Sequence, residues 1–533
     1  MQHGFESLLP PIVAIALAIL TRQVLLPLGT GIFVGAVLLS YSQPEARWFD
    51  SVLVFLESLY RSVHDFDHLQ TLAFTLLLGA MVGVMEYGGG IRSLVTNLSS
   101  RIRTRSGAQT MISLSGLAIF FDDYANTLLI GGTMRSPADR YGLSRSKLAY
   151  LVDSTAAPVA GLSVISTWTA IEISYMADGL SAAGVSDGSA AFALFLESIP
   201  YRFYPFLALA MVFAVSITGR DFGPMRRAEQ KALDESPDLV ANLTEGSSGY
   251  DASEPKRLWL ASVIPIALCV AAIGIVLVIT GTNEATILES MGPLRAAIET
   301  LGSGNSYLAL IAGGAMGLFA AILMHMAIAD CGLQRLLDGA MRGALQMMPA
   351  MLILWLAWAL SAMTRPDALD TGGYLSSVLS NRLDPRLLPT AVFLISGFVA
   401  FSTGTSWGTM AILTPLSVTL SLQLDISGDP SGVICLATAG SVLAGAILGD
   451  HCSPISDTTV LSSRASGCDH LQHVQTQMPY ALTVATVSIL CGCLPCMLGI
   501  SPWACLATGV MAIFLLVRLV GRRPNGQQSN AQE

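Results

Sequence analysis

Long apolar stretches recur from one end of the 533-residue sequence to the other, and they constrain the fold more than any other feature. A helix that crosses a bilayer needs ~20 mostly apolar residues, and the stretches of about that length predict roughly ten to thirteen crossings. The composition agrees, because only 12% of the residues are charged, against roughly 25% in an ordinary soluble domain. The sequence therefore predicts an all-α polytopic membrane protein. The candidate segments lie near residues 8–20, 24–41, 69–87, 108–177, 190–219, 258–281, 305–328, 344–363, 386–416, 431–449, 476–498 and 501–520.

One apolar stretch, "GLAIFFDDYANTLLIGGTMR" at residues 116–135, carries two adjacent aspartates and an asparagine. A carboxylate at the centre of a membrane helix costs at least ~2.5 kcal/mol, so its presence there favours a functional role. On a continuous helix Asp122 and Asn126 would share a face, whereas Asp123 would point ~100° away. We therefore expect one aspartate to line a site and the other to pair with a second element.

The two halves of the chain show the same order of features. The first contains "SGLAIFFDDYANTLLIGGTM" and later "AYLVDSTAAPVAGLSVISTW"; the second contains "SGFVAFSTGTSWGTMAILTPL" and later "SVLAGAILGDHCSPISDTTVLSS". In each half Ser-Gly and a short apolar run precede a polar cluster, and a second polar cluster with a proline follows. Duplicated halves with Gly- or Pro-interrupted membrane segments at corresponding positions indicate a transporter's site near the bilayer midplane.

The residue types in these clusters suit a small cation. A broken helix leaves backbone carbonyls and helix-end partial charges facing a cavity, and serine and threonine hydroxyls add neutral oxygens. Na⁺ needs oxygen ligands of this sort, by analogy with other hard cations. A carboxylate that holds either a proton or Na⁺, but not both, is sufficient for exchange of the two. The residues predicted to make the break in the second half are Gly404, Gly408 and Pro415.

One long hydrophilic segment divides the chain. Residues 221–256 are rich in Ser, Gly, Pro and acids and have no hydrophobic pattern, which predicts a mobile linker. The predicted organisation is a membrane repeat at 1–220, this linker, a second membrane repeat at 257–520 and a polar tail at 521–533. Basic residues cluster in a few loops, and the positive-inside rule then predicts that the linker and the C-terminus are cytoplasmic. The clusters are Arg92, Arg101, Arg103 and Arg105; Arg140, Arg145 and Lys147; Arg220, Arg226 and Arg227; and Arg518, Arg522 and Arg523.

Several polar residues are open to two interpretations. His451 beside Asp450 suits a proton relay and a packed side chain equally, and a metal ligand less well. Asp457 is either a site residue or a cap for a helix that begins at Thr458. The segment "GCDHLQHVQTQMPYAL" at 467–482 is either a loop returning to a membrane helix or, through its cysteine, aspartate and histidines, a zinc site. The loop is favoured.

Other functional classes fit less well. A cation channel would need rings of carboxylates or carbonyls around a pore, usually from symmetry or repeated filter sequences, and the two half-sites are unlike. An enzyme is disfavoured because the sequence has no GxSxG elbow, no HExxH helix and no Gly-rich phosphate loop before a lysine. A pure scaffold would leave buried carboxylates in matched broken segments without a purpose.

The motifs resemble those of the NhaC family of Na⁺/H⁺ antiporters. The likeness rests on "FFDDYANTLLIGGTMR", "KLAYLVDSTAAPVAGLSVISTW", "FSTGTSWGTMAILTPL", "LGDHCSPISDTTVLSS" and "GCDHLQHVQTQMPYAL", in the same order over residues 8–500. It implies a secondary transporter of the bacterial inner membrane that exchanges Na⁺ or Li⁺ for H⁺, with two inverted repeats, each with a re-entrant hairpin and an interrupted helix, and a homodimeric assembly. It carries an ion-binding or proton-coupling role, with Na⁺ at a subset of the positions, onto Asp122, Asp123, Asn126, Thr127, Asp153, Ser154, Thr155, Thr403, Thr405, Ser406, Asp450, Ser453, Asp457 and Thr458.

A second class of substrate is also consistent with the sequence. The resemblance extends to antiporters of organic acids such as malate and lactate and to carriers of amino acids, whereas no cofactor and no nucleic-acid partner is expected. No arginine at membrane depth stands out as a bidentate carboxylate clamp; Arg135 and Arg464 are the nearest candidates, and both suit the cytoplasmic face better. This favours a bare cation, although a helix N-terminus can hold a carboxylate without an arginine. Glu86 and Glu172 are weaker candidates in or near apolar segments.

Overall fold

The computed structural model describes residues 4–21, 23–41, 47–99, 103–185, 190–234, 257–284, 300, 304–379, 384–425 and 428–524. Within these residues the regular elements are helices, which agrees with the predicted all-α class, and one isolated bridge pair. The first-half helices are α1 Leu9–Thr21, α2 Leu25–Tyr41, α3 Trp48–His64, α4 Phe66–Tyr87, α5 Gly90–Ser99, α6 Arg105–Ala118, α7 Asp123–Thr133, α8 Arg135–Arg140, α9 Arg145–Ala160, α10 Thr169–Ala182, α11 Ala190–Ser198, α12 Phe203–Thr218 and α13 Gly223–Asp234. The second-half helices are α14 Leu260–Glu284, α15 Ser306–Ala329, α16 Leu333–Gln346, α17 Met348–Thr364, α18 Thr371–Leu379, α19 Leu388–Thr403, α20 Ser406–Leu424, α21 Val433–Cys452, α22 Asp457–Ser466, α23 His470–Val487, α24 Leu494–Met497 and α25 Pro502–Val520.

Eight helices in the described part of the chain are long and apolar enough to cross a membrane, and a ninth span arises if the bent pair Ala190–Tyr201 and Phe203–Thr218 counts as one. Two shorter apolar helices, Phe5–Thr21 and Leu25–Tyr41, accompany them. The predicted ten to thirteen crossings counted these shorter helices and the interrupted segments as well. The protein is a multi-pass membrane protein.

The hydrophilic segment and the C-terminal segment meet at one end of the helix bundle. Asp221 and Arg522 form an antiparallel backbone bridge with N···O distances of 3.1 and 3.0 Å. Helices α12 and α25 both end here, and we call this the linker end. The two helices begin at Phe203 and Pro502, which define the opposite end. The two polar segments therefore lie at the same end of the molecule.

The start of the hydrophilic segment is an ordered, docked helix. Glu229 on α13 is buried and accepts hydrogen bonds from the Arg105 guanidinium at 2.6 Å and from the Ser144 backbone at 2.8 Å. Asp221 accepts from Lys147 Nζ at 2.5 Å and from the Tyr480 hydroxyl at 2.6 Å. The predicted mobile linker is therefore wrong for residues 221–234, because these ion pairs hold the segment against both halves of the chain. Residues 235–256 of the predicted linker, and residues 525–533 of the predicted tail, lie outside the described residues.

Candidate ion-binding site

Two helix breaks in the first half lie against each other. The first separates α6, which ends at Ala118, from α7, and the second separates α9, which ends at Ala160, from α10. The Thr167 backbone N–H in the second break donates to the Phe121 carbonyl in the first at 2.9 Å. The polar backbone that each break frees is thus partly satisfied by the other, as irregular backbone at membrane depth requires.

Two breaks in the second half meet in the same way. Helix α19 ends at Gly404, which has φ of 73°, and the Asp457 backbone N–H donates to the Gly404 carbonyl at 3.3 Å. A Cβ at Gly404 would lie 2.5 Å from the Ile455 carbonyl oxygen, so the position needs glycine for both conformation and space. The predicted break residue Gly404 is therefore confirmed. The predicted breaks at Gly408 and Pro415 are wrong, because both residues lie inside α20.

The broken helices form hairpins that enter from different ends. Helix α6 begins at the linker end, where Arg105 pairs with Glu229, and α7 returns toward the same end, where the Arg135 guanidinium donates to the Ala465 carbonyl at 2.6 Å. Helix α19 starts near Arg386, which lines a cavity at the opposite end together with Val433, the first residue of α21. Because α20 connects directly to α21, it returns to that opposite end.

Asp122 and Asp123 lie at the start of α7. Asp122 is the N-cap, and its Oδ1 accepts from the Ala125 backbone at 2.7 Å. The expectation that Asp122 and Asn126 share a helical face does not hold, since the helix begins at Asp123. Asp122 Oδ2 and both Asp123 oxygens are buried and have no hydrogen-bond partner among the described residues; the Trp168 indole lies beside Asp123 without bonding geometry. Burying an uncompensated carboxylate is costly, so a bound cation or proton would stabilise these oxygens.

Asn126 ties the two first-half breaks together. Its Nδ2 donates to the carbonyls of Gly116, Ile119 and Thr155 at 2.8, 3.0 and 3.2 Å. These include carbonyls at the end of α6 that have no partner within their own helix. The Asn126 Oδ1 and the Thr127 hydroxyl are buried and make no hydrogen bond within the described part of the chain. Two neutral oxygens therefore join the free oxygens of the aspartates on the first turn of α7.

Asp450 brings a carboxylate from the second half to this place. Its Oδ2 accepts a hydrogen bond from the Ser406 hydroxyl in the first turn of α20. The other oxygen, Oδ1, is buried and has no partner among the residues described. Asp450 is close enough to Asp123 and to Asp457 to interact with both electrostatically. The carboxylates of the two half-sites are therefore within electrostatic range of one another, and we call them the carboxylate cluster. Among the described residues, no group of three or more histidine, cysteine, aspartate or glutamate side chains is arranged to hold a metal ion.

Asp457 connects the halves directly. Its Oδ2 accepts from the Tyr124 hydroxyl at 2.5 Å, and its Oδ1 accepts from the Thr458 backbone at 2.8 Å. The N-cap of α22 is Ser456, so Asp457 stabilises the helix start from the first helical position. Asp457 is surrounded by protein, yet its side chain is solvent-accessible. It is thus the least buried of these aspartates in the described structure.

Asp153 has a different environment. Its Oδ2 accepts from Gln477 Nε2 at 2.6 Å and lies 3.4 Å from both His473 Nε2 and the Thr459 hydroxyl. Gln477 also donates to the His451 carbonyl at 3.1 Å. One oxygen of Asp153 is therefore surrounded by donors from α22 and α23. Asp153 is electrostatically linked to the cluster through Asp450 and Asp457.

The histidines of the second half have specific partners. His451 Nδ1 lies 2.9 Å from the Tyr204 hydroxyl, which fixes the ring against α12. The segment at 467–482 is predicted as a loop that returns to a membrane helix, and it is a short loop followed by α23, which begins at His470, earlier than the predicted segment at 476–498. His473 faces Asp153, whereas the Cys468 thiol lies 3.5 Å from the Ser146 hydroxyl. The residues of the zinc alternative therefore point to different partners.

The remaining predicted residues are buried within or next to the broken helices and have local partners. Thr405 is the N-cap of α20, and Ser154 is buried beside Tyr150. The other hydroxyls bond to a nearby carbonyl or hydroxyl. They are Thr155 with Leu151 at 2.7 Å, Thr403 with Val399 at 2.8 Å, Ser453 with Phe401 at 2.7 Å and Thr458 with Ser456 at 3.0 Å.

Sequence reasoning missed a buried arginine. Arg202, in the bend between α11 and α12, is fully buried; it pairs with Glu172 Oε2 at 2.8 Å and donates to the Gly161 carbonyl at 2.5 Å. The sequence-based expectation concerned a bidentate clamp for a carboxylate substrate, whereas Arg202 pairs with Glu172 of the chain itself, so that expectation stays a prediction. Arg202 lies inside the apolar segment predicted at 190–219, in the run "ESIPYRFYPF" that also contains Glu197, and its burial could not be read from that run. Arg135 donates to the Arg464 and Ala465 carbonyls at the C-terminal end of α22, where a cation complements the helix dipole.

Three residues that contact the cluster were also missed. Tyr124, Thr459 and Gln477 were passed over because a tyrosine, a threonine or a glutamine in an apolar run reads as ordinary helix packing. The signal that could have found Tyr124 is its position directly after the two aspartates. Thr459 and Gln477 contact Asp153, which lies more than 300 residues earlier in the chain, so local sequence could not identify them.

Comparisons with known proteins place this arrangement in a family. A family model described as the Na⁺/H⁺ antiporter family matches residues 159–494. An uncharacterised protein of Haemophilus influenzae is 31% identical over 482 residues, which cover 90% of this chain and 89% of that protein. The malate-2H⁺/Na⁺-lactate antiporter of Bacillus subtilis is 30% identical over 122 residues, 22% of this chain and 25% of that protein.

A solved structure shares the fold. The crystal structure of the YdaH transporter of Alcanivorax borkumensis superposes with a TM-score of 0.55 at 13% identity, covering 96% of this chain and 98% of that one. At this identity the likeness concerns the architecture alone. The family match over more than half of the chain confirms the family that the sequence motifs predict. The chain belongs to the Na⁺/H⁺ antiporter family, whose NhaC members its motifs resemble.

Proposed function

We propose that this chain exchanges Na⁺, with Li⁺ as a second cation, for H⁺ across the bacterial inner membrane by alternating access. The observation that carries the proposal is the set of buried oxygens without partners at the start of α7, on Asp122, Asp123, Asn126 and Thr127. They are the hard oxygen ligands that small cations prefer. Asp450 adds a further unpartnered oxygen from the second half.

The carboxylates give the exchange its physical basis. Several buried aspartates within electrostatic range of one another cannot all stay ionised. Each ionised carboxylate carries a desolvation cost and also repels the other carboxylates. Either a cation or a proton at Asp123 relieves that cost. Competition between the two for the same carboxylate couples the inward movement of one to the outward movement of the other.

The architecture supports alternating access. The α6–α7 hairpin enters from the linker end, and the α19–α20 hairpin enters from the opposite end; we propose that the two halves are inverted repeats around a shared site. Movement of one hairpin and its broken helix against the other would open the carboxylate cluster to each side in turn. The linker end, with its basic residues, is assigned to the cytoplasm. The homodimer implied by the resemblance stays a prediction.

The test is transport in proteoliposomes with an internal pH dye. Na⁺, Li⁺ or K⁺ is added outside to vesicles that contain wild type, Asp122→Asn, Asp123→Asn or, as a matched control, Asp338→Asn, which changes an exposed aspartate on α16. We expect a Na⁺-dependent pH change in wild type and in the control, and its loss in Asp123→Asn with the fold retained. Absence of a pH response to all three cations in wild type would refute cation/proton exchange.

An organic solute is the second candidate. The stretch shared with the Bacillus subtilis malate-2H⁺/Na⁺-lactate antiporter favours it, because that protein is named for exchange of organic acids together with Na⁺ and H⁺. The same vesicles loaded with malate, lactate or an amino acid give the test. A pH change that requires one of these solutes inside the vesicle would replace simple exchange by coupled organic-acid or amino-acid transport.

A further inference from the structure

A cavity of about 320 Å³ opens between α2, α3, α4 and α17. Its volume is in the range of pockets that hold small organic ligands, roughly 300–1,000 Å³. Part of the lining is apolar and includes Leu39, Val54 and Met363. The other part is polar and contains two arginines, three acidic residues and one histidine.

The cavity lies at the end of the molecule opposite the linker end. Helix α4 carries one lining residue, His68, in its first turn and is long enough to span the membrane. The following helix, α5, has 10 residues, too few to cross the bilayer again, and α6 then begins at the linker end. Helix α4 therefore begins at the opposite end. The lining residues that the structure describes are all distinct from those of the candidate ion-binding site.

One wall of the cavity is held in a fixed position. The imidazole of His68 stacks on the indole of Trp358, with ring centroids 3.8 Å apart and an angle of 4° between the planes. His68 Nδ1 lies 2.7 Å from the Ser62 carbonyl, and the Trp358 indole donates to the Ser174 hydroxyl at 2.7 Å. A wall with these contacts is pre-organised, which lowers the entropic cost of binding a ligand.

Arg365 offers hydrogen-bond donors to the cavity. Its side chain is 37% exposed, and its guanidinium lies 3.7 Å from Oδ1 of the buried Asp178. That distance is longer than a hydrogen bond, so Asp178 balances the charge without occupying the donors. The Arg365 Nε is buried and has no hydrogen-bond partner among the described residues. A planar guanidinium with unoccupied donors suits a carboxylate, which it can bind through two parallel hydrogen bonds.

Both signs of charge meet in this cavity. Glu57 pairs with Arg61 at 2.5 Å, and Asp65 and Asp367 are exposed lining residues. The carboxylates would repel a ligand that carries only a negative charge, and the two guanidinium groups would repel one that carries only a positive charge. A zwitterion avoids both costs, and the apolar part of the lining can cover a hydrocarbon side chain.

We propose that this cavity binds a free amino acid with an apolar side chain. The α-carboxylate accepts hydrogen bonds from Arg365, and the α-ammonium group faces Asp65 and Asp367. The side chain packs against the apolar lining. With the linker end in the cytoplasm, the site faces the outside of the cell. The inference goes beyond the proposed cation/proton exchange and does not depend on it.

Equilibrium binding of radioactive L-leucine to the purified full-length protein in detergent tests the site. Two competitors each carry one of the two charges: 4-methylpentanoate lacks the ammonium group of leucine, and 3-methylbutylamine lacks its carboxylate. The variants are Arg365→Gln, Arg365→Lys, which keeps the charge beside Asp178, and Ser58→Phe, which fills the cavity from α3. Arg335→Gln, at an exposed arginine on α16, is the matched control. Thermal unfolding reports whether each variant is folded.

We expect saturable leucine binding by wild type and by the control. Each competitor should bind at least ~tenfold more weakly than leucine, because it leaves a charged group of the cavity without its partner. Arg365→Gln and Ser58→Phe should weaken leucine binding by at least ~tenfold. Arg365→Lys should weaken it in the same direction, because lysine cannot form two parallel hydrogen bonds.

If Arg365→Gln does not fold, the other two variants decide the question. Three results would overturn the proposal: no saturable leucine binding by wild type, a single-charge competitor that binds as tightly as leucine, or unchanged leucine binding in the folded Arg365 and Ser58 variants.

Discussion

The pair of Arg202 and Glu172 shows how a single buried charge can hold a helix break in place. The guanidinium donates to the Gly161 carbonyl, where α9 ends, and pairs with a carboxylate in the first turn of α10. A cation at a helix C-terminus and an anion at an N-terminus both complement the helix dipoles. The pair therefore stabilises the two helix ends that flank the break at 161–168.

Removing one member of this pair should be costly. Arg202→Met leaves the Glu172 carboxylate buried without its partner, and we expect a loss of roughly 3–5 kcal/mol of stability, as for other broken buried pairs. The measurement is thermal unfolding in detergent. The double variant Arg202→Met with Glu172→Gln should lose less than the sum of the two single variants. Strict additivity would show that the two side chains do not interact.

Gly404 gives a sharper residue-scale prediction. Both Gly404 and Gly428 have a left-handed backbone conformation, so alanine is strained at either position. At Gly404 the new Cβ would also lie 2.5 Å from a carbonyl oxygen, whereas at Gly428 the nearest atom would be 4.0 Å away. Strain alone costs of order 1–3 kcal/mol, so Gly428→Ala should remain active. Gly404→Ala should also displace the break at 453–456 and abolish transport. Equal effects of the two substitutions in the same transport assay would contradict this reading.

The chemistry at the residue scale was readable from the sequence only in part. The aspartates stood out because charges are rare in apolar runs. Asp122, Asp123 and Asp457 lie at helix starts beside the breaks, whereas Asp153 and Asp450 lie inside α9 and α21. Their individual surroundings were not readable. Whether an aspartate is a cap, like Asp122, or the acceptor of an amide from a distant helix, like Asp153, depends on backbone geometry and on contacts far apart in the chain.

At the scale of elements, α4 and α16 cross at glycines. Gly79 and Gly83 on α4 face Gly339 and Gly343 on α16, and a Cβ at Gly83 would lie 2.8 Å from the Gly343 Cα. Small residues spaced four apart let membrane helices approach closely, and the gain is dispersion and weak backbone contact. The crossing therefore fixes α16 against α4.

Enlarging one of these glycines tests the crossing. Gly83→Leu should separate the helices and lower the unfolding temperature. Overpacking of this kind is expected to cost about 1–3 kcal/mol of stability. Gly274→Leu on α14 is the matched control, since nothing lies within 4 Å of a Cβ at that position. We expect the control to unfold close to wild type in detergent. A control variant as destabilised as Gly83→Leu would show that the loss of stability does not arise from the helix crossing.

Elements were predicted better than their ends. Apolar runs identify helices because length and hydropathy are local properties, and the membrane-length helices agree with the predicted segments. The breaks were harder. Gly404 breaks its helix, whereas Pro415 lies inside α20, where its missing N–H leaves the Ala411 carbonyl without its usual intrahelical donor. Whether a helix ends at such a residue depends on the surrounding packing, which the local pattern does not specify.

At the scale of the molecule, two polar clusters in each half come together at one place although the chain between them is long. Their matching order predicted that they would meet, and the contacts between Asp457 and Tyr124 and between Asp153 and Gln477 join the halves. The docking of α13 was not predictable, because a Ser- and acid-rich sequence without apolar periodicity gives no sign that two of its acids find buried partners in distant helices.

Sidedness is a prediction about the whole molecule. A cysteine in place of Arg227 on α13 and one in place of Arg523 should react with an impermeant maleimide from the same side, because both exposed positions lie at the linker end. A cysteine in place of Asp384, which caps the turn before α19, should react from the other side. Intact cells and inside-out vesicles give the comparison, with unsubstituted protein as background. Labelling of all three positions from one side would contradict the described topology.

The central claim is that one cation site forms where the free oxygens at the start of α7 meet Asp450. Binding of radioactive Na⁺ to the purified protein in detergent, at alkaline and at acidic pH, tests it most directly. The account predicts saturable binding at alkaline pH, its displacement by protons, its loss in Asp123→Asn and its retention in Asp338→Asn. Binding that Asp123→Asn leaves unchanged, or an absence of saturable binding in wild type, would contradict it.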